Sequence, residues 1–456
     1  MLWTVVKREL LDHLMSFRFS AMFVLTFLLM ITSVLVFSAH YARERKEYPQ
    51  RVEGFVDQDG KVHLGWIACQ GGSTVREIPS PLGFLFATGE HELPDQAVMA
   101  VHGLSSLQKA VEPGDIMNSS GATDWTYVIT VLLSFGAGLL TYKSISGERR
   151  DGTLTLVLAN PVSRATILLG KFLAALLALA TVFVVSLLAG VILLEILGTV
   201  HLGGDEWIKI GLFVILSLIF LSVFVFAGLL CSVFTRGPVL SAVAFLFAWM
   251  ALVFVIPNLG GILAGLIGSA QTPLQVREAA KGIPDRYTLA PSMSVDQVAT
   301  VKLERESARE RLLISYLRSL VAQIELGRDL TRVSPASVFS YAAEKIVGGG
   351  TFRLNRFVDN AVRYREGFLQ AIIAADKSDP KSEHRYVPWW CGGNHFSMLA
   401  VDPGPAKEFR DILPSAGEGL SAAFWDVFLL LLYTIIAFAV AFWRFARQDV
   451  APAPGT

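Results

Sequence analysis

An all-helical membrane protein with six transmembrane helices is the fold class this sequence predicts, and three observations carry it. The chain of 456 residues is 53% hydrophobic and 17% charged, against about 25% charged for a soluble domain. Its mean hydropathy is +0.51. Uncharged runs reaching the roughly 20 residues needed to cross a hydrocarbon layer recur along it, and Arg and Lys gather in alternate loops, as they do on a cytoplasmic face. The 39 basic residues equal the 39 acidic ones, which argues against a nucleic-acid partner, since that needs a basic surface.

Residues 1–18 read as an interfacial helix. Trp3, Val6, Leu10 and Leu14 share one face, and Lys7, Arg8, Glu9 and Asp12 occupy the others. A plain extension of the first span is the other reading; a cleavable signal is not, because no small-residue site follows the apolar run. Spans are expected at 19–37, 125–142, 172–197, 208–235, 238–256 and 424–443. Past 256 the uncharged run continues, cut by Pro257-Asn258 and then by Gly260, Gly261, Gly265 and Gly268. Segment 257–275 is therefore expected to be re-entrant or broken, packed in protein without crossing.

Sidedness follows from the cations. Lys143, Arg149, Arg150, Arg164 and Lys171 lie in loop 143–171, Arg236 in the next turn on that side, and Arg444 and Arg447 in tail 444–456. Six spans put all of these, with Lys7, Arg8 and Arg18, on the cytoplasmic face; a seventh would move Arg444 and Arg447 outside.

Two insertions then fall outside the membrane. The first, 38–124, is expected to be mixed α/β, with a hairpin around Asp57-Gln58-Asp59-Gly60. The second, 276–423, is expected to be mainly helical. Ser294 caps a helix that stops at Gly327, Ser334-Pro335 opens another, and a third follows Gly348-Gly349-Gly350.

Loop 143–171 holds the stretch SGERRDGTLTLVLANPVSRATILLGK, Ser146 to Lys171. Asp151-Gly152-Thr153 can start a short helix with Leu154, Val157 and Leu158 on one apolar edge. Asn160 ends it, because a residue before proline is pushed out of the helical region. Ser163 can cap the next span. Such an element either transmits a push to two spans or anchors to anionic lipid through Arg149, Arg150 and Arg164.

The stretch SISGERRDGTLTLVLANPVSRATILLGK resembles the signature of type-2 ATP-binding-cassette (ABC) permeases, the exporter class. With IPSPLGFLFATGEHEL (78–93), LSVFVFAGLLCSVFTRG (221–237) and FVIPNLGG (254–261), the chain is similar to the permease family labelled as involved in multicopper-enzyme maturation. The resemblance implies a permease that dimerises with a second copy or paralogue and docks two ABC ATPase subunits. It implies that residues 1–18 form an elbow helix and that the loop is the coupling helix. Carried onto this chain, the coupling residues are Glu148, Arg149, Gly152, Thr153, Leu154, Pro161, Arg164 and Lys171. Arg150 stands where the family often has an acidic residue. ATP and Mg belong on the partner ATPase, since this chain has no G-x-x-x-x-G-K-[ST] loop.

Other constellations are weaker. His384, Cys391 and His395 lie close in sequence, but the spacing matches no closed zinc pattern and a fourth ligand is missing, so no metal is expected. Glu195, at the outer end of the third span, is a pathway candidate or a solvated helix end. Pro257 and Asn258 are pathway candidates too, although Asn258 can instead bond backbone freed by the proline. Of the three cysteines, Cys231 is expected to be a buried free thiol in the fourth span. Cys69 and Cys391, one in each outer insertion, either form a disulfide or stay separate buried thiols.

The expected function is the permease subunit of an ABC exporter in the bacterial cytoplasmic (inner) membrane, both termini cytoplasmic. The alternative is a mechanotransmission subunit whose outer insertions act on an extracytoplasmic protein without transport. No Ser-x-x-Lys or Gly-x-Ser-x-Gly arrangement supports an enzyme.

Overall fold

The computed structural model describes residues 2–48, 61–65, 73–86, 93–108, 124–159, 162–268, 271–283, 289–388, 390, 394–402 and 408–447, with backbone alone at 47, 157–159 and 273. Six helices in it are long and apolar enough to cross a membrane.

Helix α1 (Leu2–Leu14) leads into α2 (Phe17–Glu47), where the Ser16 hydroxyl accepts from the Phe19 amide. Helix α3 comprises Trp125–Val128, a π turn at Ile129–Leu133, and Ser134–Thr141, started by the Asp124 side chain on the Tyr127 amide. Two short helices follow, α4 (Ser146–Arg150) and α5 (Thr153–Ala159). Helix α6 (Arg164–Leu197) is capped by Ser163 and closed by Gly198 at φ +61°, a left-handed turn that suits glycine. Helices α7 (Gly204–Phe234) and α8 (Pro238–Ile267) complete the central set. The core is phenylalanine-rich; Phe172 stacks on Phe226 with ring centroids 4.0 Å apart.

For the part 257–267 of segment 257–275, helix α8 overturns the expectation of a break. It runs unbroken through Pro257 and carries a π turn at Ala251–Val255. In that turn the Ile256 amide bonds to the Ala251 carbonyl, so the donor that Pro257 lacks would have served the Leu252 carbonyl. The Ser334 hydroxyl donates to that carbonyl instead. Gly260, Gly261 and Gly265 do not break the helix either; only Gly268, its C-cap, ends it. Gly260 packs so closely on another helix that a Cβ would lie 2.9 Å from the Gly327 carbonyl oxygen.

Beyond the six-helix set, α9 (Pro273–Lys281) precedes α10 (Val295–Thr331), which opens on a Ser294–Gln297 capping box. Gly327 does not end α10, as the sequence suggested. It sits inside the helix, where its missing side chain admits Gly260. Ser334 and Pro335 then start α11 (Pro335–Val347). Helix α12 (Gly350–Asp376) follows, and α13 (Ala416–Ala446) is the last apolar helix.

Helix α11 is not confined to the outer insertion. Ala336, Val338, Phe339, Ala342, Ala343, Ile346 and Val347 belong to the same apolar core as the long helices. Phe339 stacks on Phe220, near the middle of α7, at 4.4 Å. The end of α10 and all of α11 therefore form a helical hairpin inserted into the bundle from the side opposite the chain termini. Among the described residues the chain turns back inside the bundle in this segment, between α10 and α11, and not at Pro257.

On that far side, β2 (Ser73–Arg76), β3 (Gln96–Ala100) and β4 (Gly103–Gln108) form an antiparallel sheet in that order. Val75, Ala97, Met99 and Leu104 pack it on Phe357 and Ala361 of α12. The strand β1 (Val62–His63) pairs with β5 (Ala400–Val401) of the second insertion. The first arm and turn of the hairpin expected around Asp57–Gly60 lie outside the described residues, as do Cys69 and Cys391. Arg353 of α12 binds Glu77 at 2.5 Å and also the Asp411 carboxylate. The two insertions thus share one body.

Candidate functional site

The loop between α3 and α6 is held at its start by one serine. Ser232 of α7 accepts the amides of Ile145 (3.0 Å) and Ser146 (2.9 Å). Arg149 then reaches the end of α7, where Nη1 donates to the Thr235 carbonyl (2.8 Å) and Nη2 to that of Val233 (3.3 Å). A helix C-terminus has unsatisfied carbonyls and partial negative charge, so a cation there is stabilising. Gly152, at φ +70°, turns α4 into α5, and the Thr153 hydroxyl donates to the Glu148 carbonyl at 3.3 Å. Arg150 makes an exposed pair with Asp151, an interaction of little energetic weight.

At the other end of the loop, Arg164 repeats the device on α13. Its Nη1 donates to the carbonyls of Phe445 (2.7 Å) and Ala446 (2.9 Å). Lys171, about two turns further into α6, is 3% exposed. Its ammonium lies 2.7 Å from the Glu9 carboxylate on α1 and 2.7 Å from that of Glu148 on α4. Gly170 explains why α1 can come so near: a Cβ there would sit 2.7 Å from a Val5 methyl. The Gly-Lys pair thus has a local reason in packing and charge. One cation joins the first helix, the loop and the span that follows.

The expected docking edge is divided. Leu154 is 6% exposed and joins the bundle core, so it faces inward and is not available to a partner. Leu156 is 70% exposed. The side chains of Val157 and Leu158, and Asn160 and Pro161 altogether, lie outside the described residues.

Of the pathway candidates, Glu195 is exposed two residues before the end of α6. Pro257 lies within α8, and the Asn258 amide donates to the Phe254 carbonyl at 2.7 Å. The structure does not bring Glu195 together with them. His384 and His395 are engaged by different carboxylates, Asp376 (3.1 Å) and Glu383 (2.7 Å).

Sequence reasoning missed Glu9 as the partner of Lys171, and missed a charged cluster around the inserted hairpin. Asp426 of α13, 1% exposed, accepts from Arg332 (3.0 Å) and from Lys345 of α11 (2.7 Å). Arg328 binds Glu344 (2.5 Å) and Glu325 (3.1 Å) beside the Tyr341 ring. The one sequence signal was an aspartate, Asp426, at the edge of an apolar run, where an ionisable residue calls for a partner.

Comparison with known families now decides the class. The sequence model of the ABC-2 family transporter proteins matches residues 3–450, nearly the whole chain. The chain belongs to the ABC-2 transporter family. Comparison with curated proteins gives no match. As an ABC-2 protein with six apolar helices it is a multi-pass membrane protein and a permease subunit of an ABC transporter. Membership implies partnership with an ABC ATPase, since ABC-2 permeases lack a nucleotide-binding domain of their own.

Proposed function

We propose that this ABC-2 permease drives export in a bacterial cytoplasmic membrane, with both termini in the cytoplasm and two ATPase subunits docked on the α4–α5 loop of a permease dimer. ATP and Mg sit on those partners and none binds this chain. Helix α1 is the elbow helix, and α4–α5 is the coupling element. The observation that carries this reading is the Lys171 node, where one buried ammonium holds α1, α4 and α6 at once. With Arg149 on the end of α7 and Arg164 on the end of α13, a displacement of α5 reaches four helices. Closure of the ATPases on ATP moves the loop, and the spans follow.

Among the described side chains of the coupling element, Leu156 is the large apolar one that is exposed. Leu156→Asp should release the ATPase in a pull-down while the permease stays inserted; retained ATPase with full ATP hydrolysis sinks the assignment.

A second reading has its own support. The hairpin α10–α11 ties the outer body into the bundle core, so motion of the spans also moves that body. A protein outside the membrane could be worked by it without transport. Vesicles separate the two: ATP-dependent solute accumulation supports export, and ATPase stimulation by an outside protein without accumulation supports the lever.

A further inference from the structure

The tip of the inserted hairpin, residues 329–334, combines depth, exposure and charge. Its depth is fixed by two independent helices. The Ser334 hydroxyl meets the Leu252 carbonyl, fourteen residues into α8, and the Tyr433 hydroxyl donates to the Arg332 carbonyl (2.5 Å), thirteen residues before the end of α13. At 1.5 Å per residue both lie about 20 Å from the terminal-side helix ends, well inside a hydrocarbon layer roughly 30 Å thick.

At this depth the tip is open on one side. The Asp329 side chain is 62% exposed and Val333 67%. A carboxylate cannot face lipid tails without a cost of several kcal/mol, so this opening has to hold water or another polar group. The charges nearby are unevenly shared. Arg332 serves both Asp329 and Asp426, while Asp426 has Lys345 as well. Asp329 is left as the least neutralised member of the chain Asp329–Arg332–Asp426–Lys345, and it is the member that is exposed.

We infer that the hairpin tip lines a water-filled vestibule reached from the outer side, and that Asp329 is its acceptor for a cationic group on a solute. A cation arriving at Asp329 takes over half of its pairing with Arg332, which keeps its other partner, Asp426. The ligand class is a hydrophilic solute or headgroup bearing an ammonium or guanidinium. Only the statement that such a solute is carried rests on the export reading; the vestibule itself does not.

The test uses intact cells carrying the full chain with its three native cysteines replaced by serine. Val333→Cys is challenged from outside with an impermeant thiosulfonate bearing a quaternary ammonium, and separately with its sulfonate counterpart. Ile435→Cys, on the exposed apolar face of α13 at a similar depth, is the comparison. Val333→Cys should react with both reagents, and with the cationic one about fivefold faster, the ratio between oppositely charged reagents that a unit charge about 8 Å away in water supports. The preference should vanish when Asp329→Asn is added, and Ile435→Cys should stay unlabelled. Refusal of both reagents by Val333→Cys, or labelling no faster than Ile435→Cys, overturns the vestibule. A preference that survives Asp329→Asn overturns the role of Asp329. Labelling as expected in a permease that transports nothing would leave the vestibule standing and sink export alone.

Discussion

On the terminal side, Arg149 and Arg164 donate to backbone carbonyls at the ends of α7 and α13, whereas on the far side Arg332 and Lys345 grip one side chain, Asp426, inside α13. The first arrangement uses what any helix end offers and survives small changes in side-chain identity. The second works only when three particular residues, from three segments, meet in a buried space. A loop that must move with its spans is fastened by the former. An element that must enter the bundle and stay there is fastened by the latter.

The contrast makes the far junction the more fragile to mutation. Asp426→Ala takes the carboxylate from Lys345 beside a core position and leaves Arg332 with Asp329 alone; it should cost about 3–5 kcal/mol, read as a lowered melting temperature of the full chain in nanodiscs. An unchanged melting temperature would mean that the hairpin is not held there.

Acid should act on the far body as well. Burial pushes His102 down to about 4, against the pull of Glu306 and together with Arg365, Arg309 and Arg305. Its Nδ1 also lies 3.4 Å from the Tyr386 hydroxyl. The unfolded chain takes up this proton near pH 6.5 and the folded one only near pH 4. Stability is therefore complete above about pH 6.5 and declines as pH falls toward 4, by on the order of 3 kcal/mol. His102→Gln should flatten that stretch of a stability–pH curve; a curve of the same slope with glutamine would assign the acid response elsewhere.

The terminal side should be milder. Lys171→Met leaves Glu9 and Glu148 facing each other, but both carboxylates are about a fifth exposed and can be hydrated. A loss of about 2 kcal/mol is expected, with a larger effect on coupling: ATP hydrolysis by the docked ATPase should no longer respond to solute. Glu9→Gln in the same background should recover part of the stability. Smallest of all, Leu156→Asp should shift stability by no more than about 0.5 kcal/mol while abolishing ATPase capture. Equal destabilisation by Lys171→Met and Asp426→Ala would erase the distinction between the two junctions.

The terminal side is also where the sequence was most legible. Ser163, Arg164 and Lys171 announce themselves because capping and charge act over a few residues, and the apolar runs mark the six long helices by length alone. The far junction could not be read this way. Nothing local shows that Gly327 meets Gly260 sixty-seven positions away, so a glycine inside α10 reads as a stop. Pro257 likewise reads as a break, because the hydroxyl that compensates for it comes from Ser334, in another segment. Helix α11 was recognised by its Ser-Pro start, but its alanine-rich face gave no hint that α7 and α13 cover it.

The π turn at Ala251–Val255 sets how the fifth long helix can tolerate insertions and deletions. It absorbs one surplus residue, so the halves on either side keep the phase of an uninterrupted α-helix. Removing a residue elsewhere between 238 and 260 would swing Gly260 through about 100° and turn it off Gly327. Removing one inside the turn would preserve that phase but bring the Pro257 ring against the carbonyl four residues back. A shortened relative should therefore have lost its residue within the turn and its proline together.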